Sequence, residues 1–326
     1  MTMYDKNLAA TNTRTLFIPA HLQLNKAPRP TTTGQFPALK AAAFTVIEKP
    51  LFAEDLSMDA LSPGQVVLIP PSVGKLLARS DNDHSLGVVG GRYYPVQNST
   101  LHAAVERSLR AELPSNVTNT TELTEKISRS GSFIRLEYRI PHYSGVIQQL
   151  NGTTTNVDFM IIFQNTHGGA SVRMKAASVD RSCDNVLVYG LCEEASAQHT
   201  ENFSTKTFEE YLRNEVRHFK GRINEMRGYA KKSITTQQAR AALSGNKLLS
   251  AEQLNKVMAQ FDDEIVARGS TAWALYAAIT SFSSHNNERF RVRNSANTDN
   301  EAESLAKRED TVMKIIASPA FQAVAA

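Results

Sequence analysis

Apolar residues keep two different rhythms along this chain. Through the middle they alternate or run continuously, as in strands; from Thr205 onward they recur every three or four positions, as in helices. Val157–Phe163 is an apolar run broken only by Asp158, the length of a buried strand. Gly168-Gly169 then supplies residues that accept positive φ, as a tight turn requires. The return segment Ala170–Ala176 alternates, with Val172 and Met174 facing one way and Arg173 and Lys175 the other. This predicts a β-hairpin with one apolar and one cationic face. Phe133–Ile140 alternates too: Ile134, Leu136, Tyr138 and Ile140 form one face, Phe133, Arg135, Glu137 and Arg139 the other, and Pro141 should end the strand. Phe44–Ile47 and Gln65–Ile69 are shorter strand candidates, the second closed by Pro70-Pro71.

Asn98 or Ser99 can cap a helix that runs to about Leu113, where Pro114 stops it. Phe208, Leu212, Val216, Phe219, Ile223, Met226 and Ala230 mark a long amphipathic helix. Further helices are predicted over 235–243, 250–267, 271–284 and 301–317, with Ser250 and Gln253 forming a capping box. The expected fold class is therefore α+β: a small, mostly antiparallel sheet packed on a long amphipathic helix, followed by a helical C-terminal region. Three segments follow, namely 1–85 as an N-terminal arm and extension with short strands, 86–204 as a β-rich core, and 205–326 as a helical region packed on that core. Met1–Thr33, rich in Thr, Asn and Pro, reads as an extended arm.

Composition narrows the field modestly. A chain of 326 residues with 41% hydrophobic and 21% charged content has ample material for a core and fits an ordinary soluble protein. No apolar run approaches the ~20 residues of a membrane span, and Met1–Ala10 has no secretory core, so a cytosolic location, bacterial by default, is expected. Cys183 and Cys192 lack ligand spacing, so neither disulfide, metal nor other cofactor is expected. Net charge is only +4, which makes the placement of cations matter more than their sum.

Three cationic groups stand out. Arg213, Arg217, Lys220, Arg227 and Lys231 form a row on the long helix, suited to a polyanion lying along it, or else to a solvated face balanced by Glu209, Glu210, Glu215 and Glu225. Arg135, Arg139, Arg173, Lys175 and Arg181 would converge if the Phe133 strand and the hairpin share a sheet. Phe133 on that face could stack a base, or Glu137 could pair with an arginine while Phe133 packs under helices. Arg289, Arg291 and Arg293 form a third group, a basic loop or an incidental one. Catalytic signatures are missing: there is no phosphate-binding glycine loop, HExxH or GxSxG. His167 reads as a turn residue, Cys183 as a small core residue, Trp273 and Tyr276 as core, and Asp262-Asp263 as solvent-facing.

Four segments together resemble a known family. They are Leu86–Asn98 (LGVVGGRYYPVQN), the Val157–Leu187 hairpin with Arg181-Ser-Cys183-Asp-Asn185, Gln198-His199-Thr200, and Thr271–Thr280. In this order they resemble the phage- and plasmid-associated family of domains of unknown function numbered 932, from about Leu86 to the end of the chain. The resemblance implies a fold and a genomic setting rather than an activity. A sheet on a basic helix is also broadly similar to annealing proteins of the phage recombination type, which oligomerise around DNA. The expectation is a non-enzymatic, homo-oligomeric nucleic-acid-binding protein, acting on single-stranded DNA in replication or recombination and needing no membrane. The alternative is a structural or protein-interaction role, in assembly or directed at the host, with the N-terminal arm reaching a partner. If the chain is an enzyme, the Arg181, Cys183, Asn185 and His199 neighbourhood is the expected centre.

Overall fold

The computed structural model describes residues 35–54, 66–168, 171–189, 194–245, 247–289 and 300–325. The arm at Met1–Thr33, Gln65, the Gly169-Ala170 half of the hairpin turn, and Cys192 lie outside the described residues.

Five short strands precede the central sheet. They are β1 (Val46–Lys49), β2 (Leu51–Glu54), β3 (Val66–Ile69), β4 (Gly74–Arg79) and β5 (Ser85–Gly90). β1, β4 and β5 form one antiparallel sheet in that order, and β2 pairs with β3. The first strand of the family-like region, β5, is thus hydrogen-bonded to β4 from the segment before it. Helix α1 (Asn98–Glu112) and the single turn α2 (Ser115–Thr118) follow, with Leu113 and Pro114 closing α1 where the sequence predicts.

The central sheet comprises β6 (Glu122–Ser128), β7 (Phe133–Gln148), β8 (Thr154–Thr166), β9 (Val172–Asp180), β10 (Val186–Val188) and β11 (Ala195–Ala197). Its order is β10-β9-β8-β7-β6, with β11 also pairing with β9, and every pairing is antiparallel. One expectation fails here. β7 does not stop at Pro141 but runs on to Gln148, because the register shifts between Ile140 and Ser144. A proline costs no ladder hydrogen bond at such an irregularity.

Helices α3 (Lys206–Lys231), α4 (Thr236–Ser244), α5 (Ala251–Arg268), α6 (Ala272–Arg289), α7 (Glu301–Ile316) and α8 (Pro319–Ala325) complete the fold. All seven predicted seam residues of α3 are buried. On one sheet face Phe208 of α3 meets Phe163 at 5.3 Å between ring centroids, and Phe219 meets Phe159 at 5.2 Å. His102 of α1 shares a 2.9 Å hydrogen bond with Tyr138 on that face. The capping box of Ser250 and Gln253 opens α5 as predicted. Trp273 and Tyr276 are buried, and Asp262 and Asp263 are exposed. One large apolar cluster extends from Phe36 to Ala325, so sheet and helices share a core. The fold class is α+β, with antiparallel sheets and a helical C-terminal region.

The opposite face of the sheet, expected to be polar and open, is covered by α7. Phe133 is buried with Ala302 and Ala306 of that helix, and the Ala302 N–H donates to Ser128 Oγ at the end of β6. Phe133 is therefore a packing residue and not a stacking platform.

Candidate functional site

The sheet cations converge as the alternation predicts. Arg135 and Arg173 flank Gln164 across the ladder, and Glu137 and Lys175 flank Ile162. Each of them, however, meets a carboxylate. Arg135, fully buried, donates from Nη1 and Nη2 to both oxygens of Glu309 at 2.7 and 2.6 Å, and from Nε to Glu137 at 2.6 Å. Lys175 Nζ lies 3.0 Å from Glu309 and 3.4 Å from Asp310. Arg173 spans Glu194 and Asp310 at 2.6 and 3.1 Å. Arg139 and Arg181 share the buried Asp158 at 2.8 and 2.6 Å, and Arg181 also donates to the Pro141 carbonyl. Burial alone would raise the Glu309 pKa, but Arg135 and Lys175 outweigh it and hold that pKa down to about 2. The expectation that these five residues form a nucleic-acid surface is corrected: all five are held in ion pairs, Arg135, Arg173 and Lys175 by carboxylates that include Glu309 and Asp310 of α7, Arg139 and Arg181 by the buried Asp158 of β8.

The α3 row has a different fate. At 3.6 residues per turn, Arg213, Arg217, Lys220, Arg227 and Lys231 fall within one narrow arc and span about 27 Å of helix. Arg217 is bound by Glu112 at 2.7 Å, and Arg213 is held loosely by Glu209 at 3.8 Å. Lys220, Arg227 and Lys231 are exposed and have no carboxylate partner among the described residues. Arg227 instead donates to the Val146 carbonyl and to Asn224. Of the third group, Arg289 closes α6, while Arg291 and Arg293 lie outside the described residues.

The Cys183–His199 neighbourhood does not assemble. Cys183 is buried, its thiol pKa pushed up mainly by burial, with Arg268 Nη2 3.7 Å from its sulfur. Asn185 donates to the Ala277 carbonyl and Arg181 is committed to Asp158. Arg268 belongs to a second internal network, 2.6 Å from Glu264 and 2.7 Å from Asp180, all three fully buried. Among the described residues no group of three or more His, Cys, Asp or Glu could hold a metal ion, and no helix is long and apolar enough to cross a membrane.

His199 sits instead on a polar cleft of about 1000 Å³. One wall is the turn after β5, Gly90 to Tyr93; another is Gln198 to Thr200 after β11, and Ser72, Val73 and Ser171 complete it. The Tyr93 and His199 rings stack at 4.7 Å with an interplanar angle of 17°. His199 Nδ1 accepts from the Val96 N–H at 3.3 Å, which leaves the proton of the neutral ring on Nε2. Burial drives the His199 pKa down to about 4, against the main chain of Thr166 and Tyr94, which oppose the fall. His167, 5.7 Å away between rings, is buried where its strand bends into the turn, and burial followed by the nearby His199 brings its pKa down to about 3. Gly91 has to be glycine, because a Cβ there would lie 2.1 Å from the Ser72 carbonyl oxygen.

The family model described as a domain of unknown function, DUF932, matches residues 85–309 of the 326. The chain belongs to the DUF932 family. No curated protein and no solved structure matches it. Within the DUF932 segment lie the turn after β5 and the Gln198–Thr200 wall; Ser72 and Val73 lie before it, so the cleft forms at its N-terminal seam. The DUF932 segment also contains all of α3 and ends inside α7, at Glu309.

Proposed function

We propose that this protein binds single-stranded nucleic acid without catalysis, through the outer face of α3. The observation that carries the reading is the three of the five α3 cations without a carboxylate partner among the described residues: Lys220, Arg227 and Lys231, exposed on one side of a helix whose other side is locked into the core. A phosphate backbone lying along that face would exchange its counterions for these side chains and, with Phe133 buried, would find no aromatic platform on the sheet. Recognition would then be indifferent to base sequence and strongly salt-dependent.

The test is fluorescence anisotropy with labelled single- and double-stranded oligonucleotides across a salt series. Loss of three phosphate contacts should reduce the slope of log K against log salt by about 2, from ~0.7 per contact. The triple variant Lys220→Glu, Arg227→Glu, Lys231→Glu should show that flattening and at least about tenfold weaker binding in low salt. Equal affinity of wild type and variant, or no binding by wild type at about 50 mM salt, rejects the reading.

A protein-interaction role is favoured by a separate observation. Phe52 and Leu68, directly opposite in the β2–β3 ladder, are 58% and 53% exposed. Large apolar side chains paired on an open ladder suit a partner surface. Light scattering on the Phe52→Ser, Leu68→Ser variant tests it: an unchanged assembly mass counts against this face.

A further inference from the structure

We propose that the cleft between the turn after β5 and Gln198–Thr200 binds a phosphomonoester ligand of nucleotide size, with Arg92 supplying the charge and the Tyr93–His199 stack forming a donor floor. The site is independent of the α3 row and of the reading built on it.

Three observations support it. The first is the chemistry of the lining: Ser72, Ser171 and Thr200 offer hydroxyls, Arg92 an exposed guanidinium, and among the described residues no Asp or Glu lines the cleft. Donors from separate segments, with one fixed positive charge and no competing carboxylate, match the three acceptor oxygens and the charge of a terminal phosphate. The second is the floor. The Tyr93 hydroxyl and His199 Nε2 are buried and engage no side chain; only main-chain groups, Gly168 for Tyr93 and Thr166 and Tyr94 for His199, act on them. An acceptor held in the cleft would give each a better-aligned partner than the main chain does. The neutral ring presents Nε2–H as a donor at pH 7, and the buried phenol stays protonated. The third is shape. The Gly91 wall lies directly against the Ser72 main chain while Gly90 faces open space, and about 1000 Å³ accommodates a nucleotide rather than a bare anion.

The test is calorimetric titration with 2′-deoxyadenosine 5′-monophosphate and with inorganic phosphate, alongside histidine side-chain nitrogen spectra. The nucleotide should bind saturably, and its titration should shift the His199 Nε2 resonance. Arg92→Ala should weaken binding at least about tenfold, and Tyr93→Phe, which keeps the stacked ring, by a smaller factor. The Lys220, Arg227, Lys231 triple variant should bind the mononucleotide as wild type does, which separates this site from the α3 face. Comparing 5′-phosphorylated with 5′-hydroxyl oligonucleotides assigns the source: a preference for the phosphorylated strand points to a strand end, and none points to a free nucleotide. Absence of saturation, equal binding by Arg92→Ala, an unmoved His199 resonance, or inorganic phosphate binding as tightly as the nucleotide overturns the proposal.

Discussion

Glu309→Gln removes one negative charge from beneath α7 and leaves two buried cations facing an amide. In the wild type that carboxylate accepts from Arg135 at 2.6 and 2.7 Å and lies 3.0 Å from Lys175, with no solvent exposure. Two routes give the size of the loss. Breaking one partner of a buried pair costs about 3–5 kcal/mol, and here the low end applies, because Arg135 keeps Glu137 and Lys175 keeps Asp310. Independently, a pKa drawn from 4.5 down to about 2 corresponds, at 1.36 kcal/mol per unit, to about 3 kcal/mol. The folded pKa is depressed, so this stability is fully present above about pH 4.5 and is lost as pH falls through about 2. Urea unfolding followed by circular dichroism should therefore show Glu309→Gln about 3 kcal/mol less stable at pH 7, with a flatter stability curve between those pH values. Glu303→Gln, whose partners Arg129 and Lys307 are largely exposed, should change stability by under about 1 kcal/mol. A Glu309→Gln loss no greater than that of Glu303→Gln would refute the reasoning.

Two other substitutions probe the packing around the sheet. In Gly145→Ala the new methyl would lie 2.5–2.7 Å from three side-chain carbons of Ile223, costing about 1–3 kcal/mol by urea unfolding, and Ile223→Ala in the same chain should recover part of that loss. Ser250→Ala removes the hydroxyl that caps α5 through the Gln253 N–H and should cost about 1 kcal/mol in the same assay, whereas Ser250→Asp should cost little.

What the sequence made legible is what short-range periodicity encodes. The α3 seam, the α5 capping box, the alternation of β7 and β9, and the cations they bring to one sheet face all follow from residues a few positions apart. Cover is another matter. Arg135 meets Glu309 at a separation of 174 residues, and nothing in the local alternation of β7 reveals that a helix near the end of the chain lies on its polar face. The same alternation serves an open cationic sheet and a buried one, so the basic surface came out inverted. Glu309 and Asp310, two acids inside an amphipathic helix, were the available signal, with Glu309 among that helix's buried positions. The cleft was half legible. Gly90-Gly91-Arg92-Tyr93 and Gln198-His199-Thr200 stood out as motifs, but the bonds joining their segments, Tyr94 N–H to the His199 carbonyl and Val96 N–H to the His199 ring, cross about a hundred positions, 103 for the second.

The seam running through β4 and β5 has a practical consequence. The family match opens at Ser85, on a strand whose ladder partner precedes it, and closes at Glu309, halfway along a helix whose later turns carry Val312, Ile315 and Ile316 into the interior. Excising residues 85–309 as an autonomous piece would bare a strand edge, an invitation to aggregate, and strip apolar cover from the C-terminal helices. Recognisable ancestry in this chain therefore marks out less than its cooperative folding unit.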